Sequence, residues 1–133
     1  MSRDYRKLRA FELSHRLTIE TYRLSAQLPP PERYGLGVQM RRAAVSVPAN
    51  IVEGSARRSG REYVKFINIA LGSACELRYL IELTRELGYL DEPAVRPSLT
   101  CANMLVASLQ KLEVALAAAV GARRATTREP VPR

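Results

Sequence analysis

Polar and apolar residues alternate near the start of the chain at the three- and four-residue steps of an α-helix. From position 8 to position 28 the polar side chains share one face: Arg9, Glu12, Arg16, Glu20, Arg23 and Gln27. The other side carries two apolar rows, one of Leu8, Phe11, Ile19 and Tyr22 and one of Leu13, Leu17, Leu24 and Leu28. One bundle core needs only one row, so we predict a helix over residues 8–28 whose surplus row meets another subunit.

The same periodicity predicts a second helix over residues 32–57. Pro29, Pro30 and Pro31 separate the two helices, because proline lacks the backbone N–H and restricts the residue before it. The core row of the second helix is Leu36, Met40, Ala43, Val47 and Ile51. Pro48 interrupts this helix, but the apolar row continues in phase beyond it, so we predict a kink there and not an end.

Two further helices are predicted over residues 60–87 and 98–120. Ser59 and Glu62 have the spacing of a capping box, and Gly88 has the place of a glycine C-cap. Gly72, inside the third helix, predicts a close approach of a neighbouring helix, and Ser98 is the predicted cap of the last one. Four helices with short connections predict an all-α fold, an antiparallel up-down-up-down four-helix bundle spanning residues 1–122. Residues 123–133, rich in proline and arginine, are predicted to form a disordered basic tail.

Positive charge is concentrated in parts of the chain. There are 21 basic and 13 acidic residues, and 18 of the basic ones are arginine. Residues 1–61 carry a net charge of +7, residues 62–122 carry −2 and residues 123–133 carry +3. A GC-rich genome would also give an excess of arginine, but it would not polarise the charge. The polarity therefore favours nucleic-acid binding, to which arginine is suited by its bidentate contacts with phosphate.

One basic set is the predicted nucleic-acid-binding site: Arg41, Arg42, Arg57, Arg58, Arg61 and Lys65. It lies along the second helix and around the N-terminus of the third, where backbone N–H groups also attract phosphate. The alternative is a solvated charged face without a ligand. Aromatic residues are scarce and none alternates with the arginines, so we predict contacts with phosphates and not with bases.

A polar stripe accompanies the core row of the second helix. Its members are Gln39, Ser46, Asn50 and Glu53, with Arg42 on the same face. We favour a structural role, in which these side chains bond a neighbouring helix or the Ala44 carbonyl that Pro48 leaves free. The alternative is a surface that grips a partner or an RNA.

Residues that commonly carry chemistry are few and isolated. His15 is the only histidine and lies in the apolar row between Phe11 and Ile19, so we interpret it as a packed or interface residue. Cys75 and Cys101 have neither metal-binding nor CxxC spacing and are interpreted as apolar fillers of a reduced, cytoplasmic protein. We therefore predict no catalytic residue, metal site or cofactor, and we find no signal peptide and no apolar run of membrane-spanning length.

The segment QMRRAAVSVPANIVEG at residues 39–54 resembles the signature of the four-helix-bundle proteins encoded in intervening sequences of bacterial large-subunit ribosomal RNA genes. The flanks at residues 28–29, 62–66, 72–77 and 87–90 agree, so the resemblance covers roughly residues 5–120. It implies the same bundle fold. Phe11 stands where a tryptophan is common, and the triple proline and the arginine-bearing tail also depart from the pattern.

That family is similar to the accessory variability determinant of diversity-generating retroelements, a homopentameric barrel of four-helix bundles that binds nucleic acid and a reverse transcriptase. The resemblance implies a ring-like homopentamer with a basic surface. We therefore expect a non-enzymatic homo-oligomer that binds RNA or DNA through phosphates. The alternative is a structural adaptor ring that recruits a protein such as a reverse transcriptase.

Overall fold

Four long helices and two short helical turns make up most of the chain that the structure describes, residues 3–127. The computed structural model begins with a 3-10 turn, Tyr5–Lys7, and continues with α1 (Arg9–Ala26), α2 (Pro30–Arg33), α3 (Leu36–Ser55), α4 (Gly60–Glu86) and α5 (Glu92–Thr127). No strand occurs within residues 3–127. The predicted all-helical structure with four long helices is confirmed.

Each long helix packs against two others in the manner of a four-helix bundle. α3 and α4 pack together, α4 packs on α5, and α1 closes the arrangement by packing on both α3 and α5. Because successive long helices are joined by short connections, they run antiparallel. The turn from α3 to α4 therefore lies at the same end of the bundle as the start of α1 and the end of α5.

The core contains one apolar row from each long helix. Its fully buried members include Leu13, Leu17, Met40, Val47, Ile51, Ile67, Leu77, Ile81, Leu105 and Leu109. In the surplus row of α1, Leu8 and Phe11 are partly buried against the core, whereas Ile19 is 43% exposed and Tyr22 is 50% exposed. The burial separates the two rows of α1 as the periodicity predicts.

The prolines after α1 begin a helical turn as well as ending a helix. α1 ends at Ala26, but the helix predicted over residues 32–57 is divided into α2 and α3, and α2 starts with Pro30 and Pro31. Proline at the first helical positions loses no hydrogen bond, because those N–H groups have no partner within the helix, and its φ is already helical. These prolines therefore start a helical turn in addition to ending α1, which is the only effect that the sequence pattern predicts.

α3 runs through Pro48 without a break. The Ala44 carbonyl, which would otherwise accept from an N–H at position 48, lies 3.1 Å from the Thr18 hydroxyl of α1. Of the two kinds of partner predicted for the polar stripe, this carbonyl is therefore not the one used, whereas Ser46 does bond a neighbouring helix through Ser73. Thr18 also lies 2.7 Å from the Ser14 carbonyl of its own helix, so a single hydroxyl joins the two helices at the proline.

Both predicted caps of α4 are present. The Ser59 hydroxyl accepts from the Glu62 N–H at 3.1 Å, which fixes the first turn. At the other end Gly88 has φ +77°, a left-handed conformation suited to glycine, and the Tyr89 N–H bonds back to the Thr84 carbonyl at 2.9 Å.

The close approach between α3 and α4 involves a different glycine from the predicted one. A Cβ on Gly72 would meet nothing within 4 Å, so the prediction for this residue is wrong. A Cβ on Gly54 would lie 2.7 Å from the Phe66 Cβ and 3.1 Å from the Tyr63 Cδ1. Gly54 therefore allows the end of α3 to lie directly against the start of α4.

α5 starts earlier and ends later than predicted. Asp91, not Ser98, caps it, since the Asp91 carboxylate accepts from the Ala94 N–H at 3.0 Å. Pro93 falls in the first turn, where proline is tolerated, and Ser98 is buried with its hydroxyl 3.1 Å from Glu20 Oε2. The helix continues to Thr127, so residues 123–127 are helical and the predicted disorder is wrong there; residues 128–133 lie outside the described range.

α5 is also apolar along much of its length. Residues 92–126 pass as a possible membrane span by length and composition, because an 18-residue window within them has a mean hydropathy of 1.5. The prediction that no apolar stretch approaches this length is therefore wrong. Leu105 and Leu109 of this helix are nevertheless fully buried in the bundle core.

Candidate nucleic-acid interface

The six predicted basic residues fall into two separate groups. Arg41 and Arg42 lie in the first half of α3, whereas Arg57, Arg58, Arg61 and Lys65 lie around the turn from α3 into α4. Positions 42 and 57 are 15 residues apart in sequence, which corresponds to about 20 Å along a helix axis. The structure therefore does not bring the six together into one site.

Arg41 forms contacts within the protein. Its Nη1 lies 3.2 Å from the Ser25 hydroxyl, and its Nη2 donates to the Arg33 carbonyl at 3.1 Å. These bonds hold the connection between α1 and α3. Arg42 is exposed and lines a shallow groove with Tyr22 and Val45.

Arg57 is also held, although it lies at the turn. Its Nη2 donates to Glu53 Oε1 at 2.9 Å, and its guanidinium carbon lies 4.8 Å from the centre of the Phe66 ring. The ion pair is partly exposed and contributes little to stability. Its effect is to fix the Arg57 side chain along α3 and to neutralise Glu53, the acidic member of the polar stripe.

Arg58, Arg61 and Lys65 are exposed, and none has a charged partner within residues 3–127. Arg61 and Lys65 are one turn apart on α4, so their side chains share a face. These three cations are the members of the predicted set at this turn that are available to a ligand; Arg42, on α3, is exposed as well.

The fold adds two arginines that the sequence analysis did not include. The Arg3 guanidinium donates to the Arg57 carbonyl and lies 5.8 Å from the centre of the Tyr63 ring. Arg123 reaches the same end from α5. Arg3 and Arg123 are 120 positions apart in sequence, so no local pattern could have joined them. We call the combined surface the basic end: Arg3, Arg57, Arg58, Arg61, Lys65 and Arg123.

A small pocket opens at the basic end. It has a volume of about 120 Å³; Gly60 and Tyr63 of α4 form one side, Leu116, Ala119 and Val120 of α5 form another, and Arg3 and Arg123 complete the lining. Tyr63 is only 1% exposed, and its hydroxyl has no hydrogen-bond partner among the atoms that the structure describes. Burial raises the pKa of Tyr63, and the nearby Arg3 charge partly opposes this shift.

The polar stripe links α3 to α4 at its middle. The Ser46 and Ser73 hydroxyls are 2.8 Å apart across the two helices, and the Asn50 amide donates to the Ser46 carbonyl at 2.7 Å. Glu53 bonds Arg57, and Gln39 is exposed at the start of α3. Ser46 and Asn50 of the stripe are therefore bonded within the bundle, whereas Gln39 and Glu53 are exposed.

The isolated candidates for chemistry stay isolated. His15 is exposed and stacks on Phe11, with ring centres 6.0 Å apart. Cys101 is buried with its Sγ 3.5 Å from the Leu13 carbonyl, and burial, assisted by Glu20, raises the pKa of this thiol. Within residues 3–127 no three histidine, cysteine or acidic side chains come together as metal ligands would.

Comparison with known proteins identifies the family. The model of the family described as 23S rRNA-intervening sequence protein matches residues 6–111, which is most of the chain. The chain belongs to this family. None of the curated proteins gives a significant match.

A solved structure supports the fold of this intervening-sequence family member. It is a protein of unknown function from the S23 ribosomal protein family of Bacteroides thetaiotaomicron VPI-5482, with a TM-score of 0.73 and 21% identity. The similarity covers 78% of this chain and 97% of that one. At this identity the likeness shows the fold and not the function.

The family model covers only part of the basic end. Residues 6–111 include Arg57, Arg58, Arg61 and Lys65, but not Arg3 or Arg123. The α5 side of the pocket, residues 116–123, also lies beyond the match. Most of the pocket lining is therefore supplied by the two ends of this intervening-sequence protein, outside the part that the family model covers.

Proposed function

We propose that the protein binds RNA or DNA through the phosphates, without catalysing a reaction, and that the basic end is the binding surface. The observation that carries the proposal is the presence of Arg58, Arg61 and Lys65 at one end of the bundle, exposed and without charged partners within residues 3–127. Cations that are not already paired retain their full attraction for phosphate. The family name, which refers to ribosomal RNA, is consistent with such a ligand.

The proposed contacts carry no base specificity. Phe66, an aromatic residue at this end, is covered by the Arg57 guanidinium, and Tyr63 is buried. A surface without exposed rings offers bases nothing on which to stack. Arg41 and Arg42 are left out of the surface, because one is bonded within the protein and both lie some way along α3 from the turn.

A triple variant tests the surface. Arg58→Gln, Arg61→Gln and Lys65→Gln together remove three charges, and affinity should fall for RNA and DNA of every sequence alike. The slope of log affinity against log salt concentration should become shallower by about 0.7 per lost contact on single strands and about 0.9 on duplex DNA. Affinity is measured on a mixed-sequence RNA and a DNA duplex at several salt concentrations.

The matched control is Arg23→Gln, Arg42→Gln and Lys111→Gln, which changes the net charge equally but away from the basic end. It should keep the wild-type slope. Equal slopes for the two triple variants would show that only total charge matters. Absence of wild-type binding at low salt would refute nucleic-acid binding and favour the adaptor function, in which the charge recruits a protein such as a reverse transcriptase.

The same proposal includes a homo-oligomer, with a ring-like pentamer as the state that the resemblance implies. It is supported by the exposed apolar surface of Ile19 and Tyr22 on α1 and of Val45, 42% exposed, on α3. Tyr22 and Val45 line one shallow groove, so the surface is continuous between the helices. A monomer mass in light scattering at micromolar concentration would refute the oligomer.

A further inference from the structure

We propose that the pocket at the basic end binds a phosphate monoester, and that this group is the 5′-phosphate of a nucleic acid. Phosphate binding by the pocket stands on the geometry of the site alone. The identity of the molecule that carries the phosphate rests on the proposed function.

The start of α4 supplies backbone donors. The Glu62 N–H bonds the Ser59 hydroxyl and the Tyr63 N–H bonds the Ser59 carbonyl, which leaves the N–H groups of Gly60 and Arg61 without helical partners. Such groups at the positive end of a long helix attract phosphate. Gly60 keeps this backbone open, since a Cβ there would lie 3.0 Å from Val120 Cγ2.

The buried hydroxyl of Tyr63 is the observation that points to a ligand. Tyr63 lines the pocket, and its hydroxyl has no acceptor within the described part of the chain, although buried polar groups in proteins are nearly always bonded. A phosphate oxygen in the pocket would accept from it. The hydroxyl is shielded from solvent, so the proposal requires that Arg3, which lies over the Tyr63 ring and donates to the Arg57 carbonyl, leaves this position when a phosphate binds.

The remaining lining matches a compact anion. Arg3 and Arg123 supply guanidinium groups, which bind phosphate in bidentate fashion, and neither Glu53 nor Glu62 lines the pocket. The volume of about 120 Å³ is well below the ~300–1,000 Å³ of sites for drug-sized ligands. The α5 side chains close one side of the pocket. A phosphate at the end of a nucleic acid therefore fits the pocket better than a phosphate inside a continuous strand.

Inorganic phosphate is the first probe, used with the full chain in thermal unfolding at constant ionic strength. The wild-type midpoint should rise with phosphate concentration, because a ligand that binds only the folded state stabilises it. Without phosphate, Tyr63→Phe should unfold at a higher midpoint than the wild type, since it removes an unbonded buried group. With phosphate, its midpoint should rise much less than that of the wild type. Gly60→Ala should weaken the response by narrowing the pocket.

Tyr79→Phe is the matched control, because Tyr79 lies on the same helix with 60% exposure. It should respond to phosphate as the wild type does. Two results would overturn the pocket: an equal response of Tyr63→Phe and wild type, or a lower midpoint of Tyr63→Phe without phosphate. The second result would show that the hydroxyl is already bonded within the protein.

The source of the phosphate is tested with two RNAs of one sequence, with a 5′-phosphate or a 5′-hydroxyl, and with a nucleoside monophosphate. The 5′-phosphate should improve affinity roughly tenfold, the value of one charge-assisted hydrogen bond, and Tyr63→Phe should remove the preference while keeping the affinity for the 5′-hydroxyl RNA. Phosphate stabilisation without binding of either RNA would refute the proposed function and retain the pocket. Equal binding of both RNAs, without phosphate stabilisation, would refute the pocket alone.

Discussion

The Thr18 hydroxyl is the feature of the bundle whose removal has the most clearly defined effect. Pro48 has no N–H to donate to the Ala44 carbonyl. The Thr18 hydroxyl of the neighbouring helix lies 3.1 Å from that carbonyl and shares its one proton with the Ser14 carbonyl at 2.7 Å. Thr18→Val keeps the shape of the side chain and removes the hydroxyl. The Ala44 carbonyl then has no donor from either helix.

The expected cost follows from burial. A buried polar group left without a partner costs about 1–3 kcal/mol. Ala44 is buried and Thr18 is half-buried, so we expect Thr18→Val to lower the free energy of unfolding by about 1–2 kcal/mol. Thr21→Val is the matched control, because the Thr21 hydroxyl bonds the Leu17 carbonyl at 2.7 Å and that carbonyl also has a helical N–H partner. This control should change stability by less than about 0.5 kcal/mol.

A double-mutant cycle with Pro48→Ala isolates the bond. Alanine restores the N–H at position 48 and should stabilise the helix by up to about 3 kcal/mol. In that background Thr18→Val should cost at least about 1 kcal/mol less than in the wild type. Urea unfolding curves of all four proteins, measured at the same protein concentration, give the coupling free energy between Thr18 and Pro48. A cost that is equal in both backgrounds, or equal to that of Thr21→Val, would refute the reasoning.

Two further predictions concern the packing of α3 on α4 and the start of α5. Gly54→Ala should destabilise the protein by about 1–2 kcal/mol in urea unfolding, because its Cβ would lie 2.7 Å from the Phe66 Cβ. Gly72→Ala places its Cβ in open space and should stabilise the protein by up to about 1 kcal/mol. A change of the same sign in both variants would contradict this packing. Hydrogen bonds from Arg85 and a second arginine lower the pKa of Glu92 from its ordinary 4.5, so its contribution is present above that pH and is lost as the pH falls through the lower folded value. Glu92→Gln should therefore have a lower thermal midpoint than the wild type at pH 7, and the two proteins should have the same midpoint at a pH below the folded pKa of Glu92. A difference in midpoint that persists in acid would exclude the ion pairs as its cause.

The helices were predictable because they depend on local periodicity, whereas several of their ends were not. The Ser59 cap and the glycine at position 88 act within one turn, and both of these predictions hold. The starts of α2 and α5 were missed because proline both ends and begins helices. Pro30 was interpreted only in the first sense, Pro93 was left outside the helix predicted over residues 98–120, and the capping role of Asp91 was overlooked.

The candidate site was predictable only where its residues are close in sequence. Arg57, Arg58, Arg61 and Lys65 are neighbours around one turn, and the structure keeps them at one end of the bundle. Arg3 and Arg123 join them because α1 starts and α5 ends beside this turn, which depends on the packing of all four helices. The role of Thr18 was hidden for the same reason, since its partner lies on another helix.

The packing of α1 on α5 determines when the protein can finish folding. The Cys101 thiol reaches the Leu13 carbonyl across 88 residues, and the Ser98 hydroxyl reaches Glu20 across 78. During synthesis at about 5–20 residues per second, α1 therefore waits roughly 4–18 s for the helix that covers it. In that interval the nascent chain exposes the apolar seam of its first helix. A premature stop before α5 would make this exposure permanent and the shortened product prone to aggregation.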